Sequence, residues 1–101
     1  MAFSVVIDPN AILDIQEAID YYDEQLVGLG EKFEVNLNKH INSIKNNPYH
    51  QVRYDKVRCL PLKKYPYSIH FTIEEDKQQI TIRAVFHMAI NPKRWNKRKR
   101  L

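Results

Sequence analysis

The clearest structural signal in the sequence lies at residues 67–74, which read YSIHFTIE. Large apolar side chains alternate there with smaller or polar ones, a period of two that is typical of a strand with one buried face. The polar segment 75–78 then supplies a turn, and residues 80–87, ITIRAVFH, alternate in the same way. The two segments therefore form an antiparallel hairpin. Its second strand is predicted to bury Ile80, Ile82, Ala84 and Phe86.

Two amphipathic helices precede this hairpin. A short β-branched run at residues 3–7 is followed by Asp8, a good N-cap residue, and by Pro9 at the first helical position. Apolar residues then recur every three or four positions, which indicates a helix with one buried face. Gly28 and Gly30 mark a tight reversal into a second helix of the same kind.

The second helix must end before Pro48, because the residue before a proline resists the α conformation. A polar loop at residues 49–56 leads to another strand at 57–62. The sequence therefore predicts an α+β fold with the order β-α-α-β-β-β, in which a helical hairpin packs on one face of a small antiparallel sheet.

Length and charge restrict the possible functions. A chain of 101 residues is predicted to form one domain, residues 1–101, with a basic C-terminal tail at 93–101. Residues 1–35 carry eight acidic side chains and one basic one, whereas residues 36–101 carry four acidic and 15 basic ones. This asymmetry points to an anionic partner for the second part of the chain, or to attraction between the two parts within the fold.

Several classes of site and of location are not expected. Cys59 is the single cysteine, so no internal disulfide is possible. The four histidines show no recognised zinc spacing, and we expect no metal and no cofactor. The apolar runs are too short to span a membrane, and the sequence begins without a secretory signal, so a cytoplasmic protein is expected.

The candidate catalytic residues are His87, Arg83 and Arg58. Arg83 and His87 are four apart in one predicted strand and are expected on the same face, together with His70. Imidazole titrates near neutrality and arginine or lysine can clamp a phosphate, so the set suits cleavage of an RNA phosphodiester by its own 2′-hydroxyl. Exposed sheet faces also carry Arg and His for solubility alone. The sequence does not determine the face on which Arg58 lies. The buried residues of that strand can be either Val57 and Cys59 or Leu60 and Leu62.

The predicted contacts to a nucleic acid or another target are basic. Residues 93–100 of the tail include six basic side chains. Such a segment can neutralise phosphates, in which case its binding weakens as the salt concentration rises, or it can equally be a solvated end. Trp95 within the tail can stack on a base or close the edge of the core. The residues predicted to contact the target are Lys64, Lys93, Arg94, Lys97, Arg98, Lys99 and Arg100.

The sequence resembles the RelE/ParE superfamily of toxins from type II toxin–antitoxin modules, particularly its ParE-like plasmid-stabilisation branch. The segments that carry the resemblance follow the family order over nearly the whole chain. They are residues 18–22, AIDYY; 28–33, GLGEKF; 57–58, VR; 65–69, YPYSI; 84–87, AVFH; and 91–95, NPKRW. Ile90 stands where many members have an arginine before the Asn-Pro or Asp-Pro pair.

The resemblance implies a growth-inhibiting toxin that a cognate antitoxin neutralises, with operator DNA bound only through the toxin–antitoxin complex. Members of the superfamily divide by target. The ParE type binds DNA gyrase, whereas others cut mRNA on the ribosome. In this chain Arg58 and His87 match basic or polar positions that many members share, and Arg83 lies on the same strand as the basic residue of the nuclease members. The alternatives to a gyrase-directed toxin are therefore a ribosome-dependent mRNA endonuclease and an inactive relic that only binds antitoxin or DNA.

Overall fold

The computed structural model describes residues 3–89 of the chain. Within this range two helices and five strands follow one another in the predicted order, with one additional strand. In chain order they are β1 (Ser4–Ile7), α1 (Pro9–Gln25), α2 (Leu29–Asn46), β2 (Val52–Tyr54), β3 (Val57–Pro61), β4 (Tyr67–Glu74) and β5 (Gln79–His87), with a short 3-10 turn at Glu75–Lys77 between β4 and β5.

The strands form one sheet in the order β1-β5-β4-β3-β2, with both helices on one face. The predicted α+β class and the helical hairpin are confirmed, but the sheet is mixed and has five strands. β1 pairs with β5 in parallel, which is possible because most of the chain separates them and no tight turn fixes their relative direction. β2 lies in the segment predicted as a loop, and its three residues are too few to show a periodicity.

Helix α1 begins where its capping residue predicts. The carboxylate of Asp8 accepts a hydrogen bond from the backbone N–H of Asn10 at 2.8 Å, and Pro9 occupies the first helical position. Asp8 also donates its backbone N–H to the carbonyl of Ile82, at 2.9 Å. The start of α1 is therefore fixed to β5 at the point where β1 ends.

The reversal between the helices depends on both glycines, for different reasons. Gly28 has a φ of 92°, in the left-handed region that favours glycine. At Gly30 an added Cβ would lie 2.6 Å from the carbonyl oxygen of Ile19 in α1. The carboxylate of Asp23 accepts a hydrogen bond from the Gly30 N–H at 2.8 Å, which satisfies one of the free donors at the start of α2. The two helices therefore approach one another closely at this end.

The core lies between the helices and the sheet. Helix α1 contributes small residues and α2 larger ones, so α1 can lie close to β5. A stack of aromatic rings fills the end of the core beside the β3–β4 connection. The fully buried or nearly buried side chains of the core include Ala11, Ala18, Phe33, Leu37, Ile44, Ile69, Phe71, Ile80, Ile82 and Val85, and the aromatic stack comprises Tyr22, Phe33, Tyr65 and Tyr67.

A β-bulge at Arg83 corrects the predicted alternation of β5. Ile82 pairs with Phe71, but the next pair along the ladder joins Ala84 to His70, so Arg83 is an extra residue. The extra residue reverses the alternation: Val85 joins the core, and Ala84 and Phe86 lie on the face opposite the helices. The prediction that Ala84 and Phe86 share the buried face of Ile80 and Ile82 is wrong.

The bulge is held by a side chain of α1. The carboxylate of Asp14 accepts a hydrogen bond from the backbone N–H of Val85 at 3.1 Å. A buried N–H without an acceptor is costly, and a bulge disrupts the ladder that would otherwise supply one. Asp14 therefore stabilises the irregular strand.

Gly30→Ala is expected to lower the free energy of unfolding by about 1–3 kcal/mol, because the added methyl group overlaps the Ile19 carbonyl of α1. Gly28→Asn is the matched control, since nothing lies within 4 Å of its Cβ and asparagine tolerates the left-handed region. Urea unfolding of both variants measures the effect. Equal losses would contradict a close helix contact at Gly30.

Asp14→Leu is expected to lower the free energy of unfolding by about 1–3 kcal/mol, because the Val85 N–H loses its acceptor. Asp14→Asn keeps an acceptor oxygen at a similar position, so its free energy of unfolding should fall by less than that of Asp14→Leu. Chemical denaturation gives the free energies, and amide hydrogen exchange at Val85 reports the bond directly. Unchanged exchange at Val85 in Asp14→Leu would refute the bond.

Candidate functional site

Arg58 lies on the helix-side face of β3. Its pairing with Phe71, and the packing of Leu60 and Leu62 in the core, settle the register that the sequence leaves open. The guanidinium donates from Nη1 to the carbonyl of His50 at 2.8 Å, and its central carbon lies 5.5 Å from the centre of the Tyr49 ring. Arg58 therefore holds the segment that connects α2 to β2, and this contact occupies part of the guanidinium.

Arg83 lies in the bulge, on the face opposite the helices. Its Nε donates to the hydroxyl of Thr72 at 3.1 Å, and its Nη1 lies 4.0 Å from the carboxylate of Asp8. An exposed ion pair at this distance contributes little stability. The side chain is exposed, so it can contact a partner that approaches this face.

His87 ends β5 on the helix-side face, opposite Tyr67. The two rings meet edge to face, with centroids 5.1 Å apart. The imidazole Nδ1 accepts a hydrogen bond from the backbone N–H of Ala89 at 3.0 Å, so the neutral ring carries its proton on Nε2. His87 is half-buried, and its orientation is fixed from both sides.

The three candidate catalytic residues do not converge. Arg58 and His87 share a face, but they pair with Phe71 and Tyr67, which are four residues or about 13 Å apart along β4. Arg83 lies on the other face with His70, as the alternation from Ile82 predicts, and the bulge shifts His87 to the helix-side face. The prediction that Arg83 and His87 lie on one face is therefore wrong, because the two-residue period does not continue through the bulge.

A partly buried polar cluster around the buried His70 lies on the face opposite the helices and was not found from the sequence. The Tyr54 hydroxyl lies 3.0 Å and the Cys59 Sγ 3.5 Å from Nδ1 of His70, whose ring also contacts Phe86. The cross-strand pairing of Cys59 with His70 brings these groups together. That pairing depends on the strand register, which the sequence leaves undetermined.

The environment of this cluster makes its groups poor acids and nucleophiles. Burial, with a smaller contribution from the positive charge of Arg53, lowers the pKa of His70 to about 4. Burial raises the pKa of the Cys59 thiol to about 11, against a small opposing effect of Arg53. At neutral pH both groups are uncharged, so His70 is not a proton donor and Cys59 is not a thiolate.

The predicted target-binding residues are placed only in part. Lys64 is exposed in the β3–β4 connection. His40 fixes this connection to α2, because its Nδ1 donates to the carbonyl of Asn36 at 2.8 Å and its Nε2 accepts from the Lys63 N–H at 3.3 Å. The remaining predicted contacts, Lys93, Arg94, Lys97, Arg98, Lys99 and Arg100, and also Trp95, lie outside the described residues.

Two further properties of residues 3–89 bear on the kind of site. No three side chains of histidine, cysteine, aspartate or glutamate in this range come together as they would around a metal ion. Neither α1 nor α2 is long and apolar enough to cross a membrane.

A family model describes this sequence. The model for the ParE toxin of type II toxin–antitoxin systems, parDE, matches residues 5–92, which include both helices and all five strands. The chain belongs to the ParE toxin family. It is a RelE/ParE-type toxin of a toxin–antitoxin system, which confirms the resemblance seen in the sequence. A search of curated protein sequences finds no match to this ParE-family chain.

Solved structures share the fold of this ParE-family chain. In the chromosomal ParDE system of P. aeruginosa the matched chain superposes with a TM-score of 0.75 at 16% identity, covering 85% of this chain and 96% of that chain. The isolated E. coli RelE toxin gives 0.66 at 14%, covering 98% of both. The intact E. coli RelBE complex gives 0.64 at 15%, covering 83% and 94%. At these identities the likeness establishes the fold.

Acidification is expected to destabilise the fold through His70. Its pKa in the folded state, about 4, is below the ordinary value of 6.5, so the unfolded chain binds the proton first. The contribution of neutral His70 to the free energy of unfolding is fully present above pH 6.5. It falls by about 3 kcal/mol as the pH drops to 4.

The measurement is the free energy of unfolding between pH 7 and pH 4 for the native chain and for His70→Gln. The variant should show a shallower loss, since the other titrating groups are common to both. Parallel curves would contradict the depressed pKa of His70.

Proposed function

We propose that this toxin inhibits growth by binding a macromolecular target, DNA gyrase in the first place, rather than by cutting RNA. The match of residues 5–92 to the ParE family carries this proposal. It is supported by the dispersion of Arg58, Arg83 and His87, because general acid–base chemistry needs its groups within hydrogen-bond reach of one reacting site. A binding surface has no such requirement.

The second part of the chain offers exposed basic side chains to a target. Arg83 is exposed on the face opposite the helices, and Lys64 is exposed at one end of β4. The sequence from residue 93 to residue 100 adds six bases. Charge of this kind accelerates association with an acidic protein surface or with protein-bound nucleic acid, and its effect falls with ionic strength.

A cognate antitoxin is the proposed regulatory partner. The structural neighbours from P. aeruginosa and E. coli are a chromosomal ParDE toxin–antitoxin system and the intact RelBE toxin–antitoxin complex. Transferred to this chain, the same arrangement gives a toxin that is silent in the complex, works in the cytoplasm and meets operator DNA only through its antitoxin. The adjoining reading frame is the place to look for this partner.

Induction of the chain without antitoxin is expected to stop growth and to lower gyrase supercoiling of a plasmid, without codon-phased cuts in mapped transcripts. His87→Ala should leave toxicity largely intact, because His87 belongs to no converged catalytic centre, whereas Arg83→Ala should weaken it only in part, since one charge of the binding surface is lost. Growth curves, a supercoiling assay with purified gyrase and transcript-end mapping measure these effects.

The other outcomes identify the alternatives. Codon-phased cuts that disappear in both variants would establish the ribosome-dependent endonuclease and overturn the gyrase proposal. Unimpaired growth with a folded protein would indicate an inactive relic that only binds its antitoxin or DNA.

A further inference from the structure

The face of the sheet opposite the helices is buried at one end only. The rings of His70 and Phe86 are 0% and 6% exposed, although both stand on this face. Further along the same face Arg83 is exposed and Val6 is 47% exposed. His70 and Arg83 both lie in strands that are paired on both sides, so neighbouring strands alone do not bury a side chain here. The end of the face at His70 and Phe86 is therefore covered.

The buried residues of this face form a group of their own. Val57, Ala84 and Phe86 are buried apolar side chains, yet none of them belongs to the core between the helices and the sheet. No helix or strand within residues 3–89 lies over them, because α1 and α2 pack on the other face. An uncovered sheet face is solvated. This burial is present in the single chain, so the cover is part of the chain itself.

Three rings form the floor of the covered region. The rings of Phe86 and His70 meet edge to face with centroids 5.1 Å apart, and the Tyr54 ring lies 5.8 Å from His70. The Tyr54 hydroxyl lies 3.0 Å from Nδ1 of His70, which fixes the two side chains relative to each other. We call Tyr54, His70 and Phe86 the aromatic platform. Such a group packs favourably against a further aromatic ring.

The chain continues from the structure at this end of the face. β5 ends at His87, directly after Phe86, and the backbone N–H of Met88 donates to the Pro66 carbonyl at 2.8 Å. β1 begins instead beside Gln79, eight residues or about 26 Å from His87 along β5. Residues that follow position 89 need to span only a few residues, at about 3.3 Å each, to reach the platform after a reversal.

The sequence after residue 89 suits this place. Residues 90–95 read INPKRW, in which the Asn-Pro pair favours a turn and Trp95 is the one aromatic residue. The sequence alone allows Trp95 to stack on a base or to close an edge of the core. The covered platform favours the second role, because an indole is large enough to cover neighbouring rings.

We propose that residues 90–101 turn back over the aromatic platform with Trp95 against it, and that this anchor holds the six bases of the tail beside Arg83 as one basic surface for the target. The anchor is independent of the proposed function, whereas the role of the surface rests on it. Bases that are held in place lose less conformational freedom on binding than those of a free end. Arg83 is exposed on the uncovered part of the same face, so its charge adds to theirs.

The fluorescence of the full-length chain tests the anchor. Trp95 is the single tryptophan of the sequence, so the emission reports this residue alone. We expect emission at shorter wavelength than in urea, and quenching by acrylamide that is at least about threefold weaker than in urea. Equal quenching in both states overturns the inference. Protection that depends on toxin concentration assigns the cover to a second copy and also overturns it.

Phe86→Ala tests whether Trp95 lies on the platform. It should raise acrylamide quenching at least about twofold, because one ring under the indole is lost. Phe3→Ala is the matched control, since Phe3 is buried to a similar extent, 7% exposed, but in the core on the helix side. Circular dichroism checks that both variants are folded, and Phe86→Leu is the milder change if Phe86→Ala unfolds. Equal quenching in the Phe86 and Phe3 variants overturns the contact.

Inhibition of purified gyrase tests the role of the anchor in target binding. Trp95→Ala removes no charge, yet it should raise the toxin concentration for half-inhibition at least about fivefold, while Trp95→Phe, which keeps a ring, should recover most of the loss. Tyr21→Ala is the matched control at an aromatic residue of α1 that is 53% exposed, and it should change inhibition less than about twofold.

The two measurements separate the anchor from the proposed function. Unchanged inhibition by Trp95→Ala overturns the role of the anchor in binding the target. A native chain that does not inhibit gyrase overturns the proposed function, and the fluorescence result then still decides whether Trp95 is anchored.

Discussion

The hydrogen bond from the Val85 N–H to the Asp14 carboxylate is the contact on which the rest of the arrangement depends. β5 is paired on both sides, with β1 and with β4, so an irregularity in it affects the whole sheet. The bulge at Arg83 turns Val85 inward and leaves one backbone donor to be satisfied from outside the ladder. Asp14 supplies that acceptor, and Asp8 fixes the start of the same helix to Ile82. Helix α1 therefore determines which side chains of β5 reach each face.

This constraint explains how far the sequence predicts the fold. The N-cap at Asp8, the glycine reversal, the end of α2 before Pro48 and the hairpin of β4 and β5 follow from local chemistry, and all are present. The bulge could not be predicted, because Ala84, Val85 and Phe86 are all apolar and satisfy the burial pattern in either phase. The side chain that satisfies its free N–H is 71 residues away, which no local pattern reports.

The candidate site was predicted less well for the same reason. The residue types suit phosphate contacts, and Arg83 is exposed, but shared faces were inferred from a regular period of two. One extra residue was enough to separate Arg83 from His87. The Tyr54, Cys59 and His70 cluster shows the converse case, in which residues far apart in sequence meet because β2, β3 and β4 are adjacent. Spacing along one strand is therefore weaker evidence for a site than the pairing between strands.

The parallel pairing of β1 with β5 has a consequence for synthesis of the protein. The partner of residues 4–7 lies at residues 79–82, so the N-terminal strand leaves the ribosome long before the strand that it must join. Contacts of such high sequence separation form late and slow folding. Both helices can be made while the sheet still lacks its central strand, and the core stays open until β5 emerges. A chain that ends before β5 therefore lacks the strand that joins β1 to the rest of the sheet and cannot complete this fold.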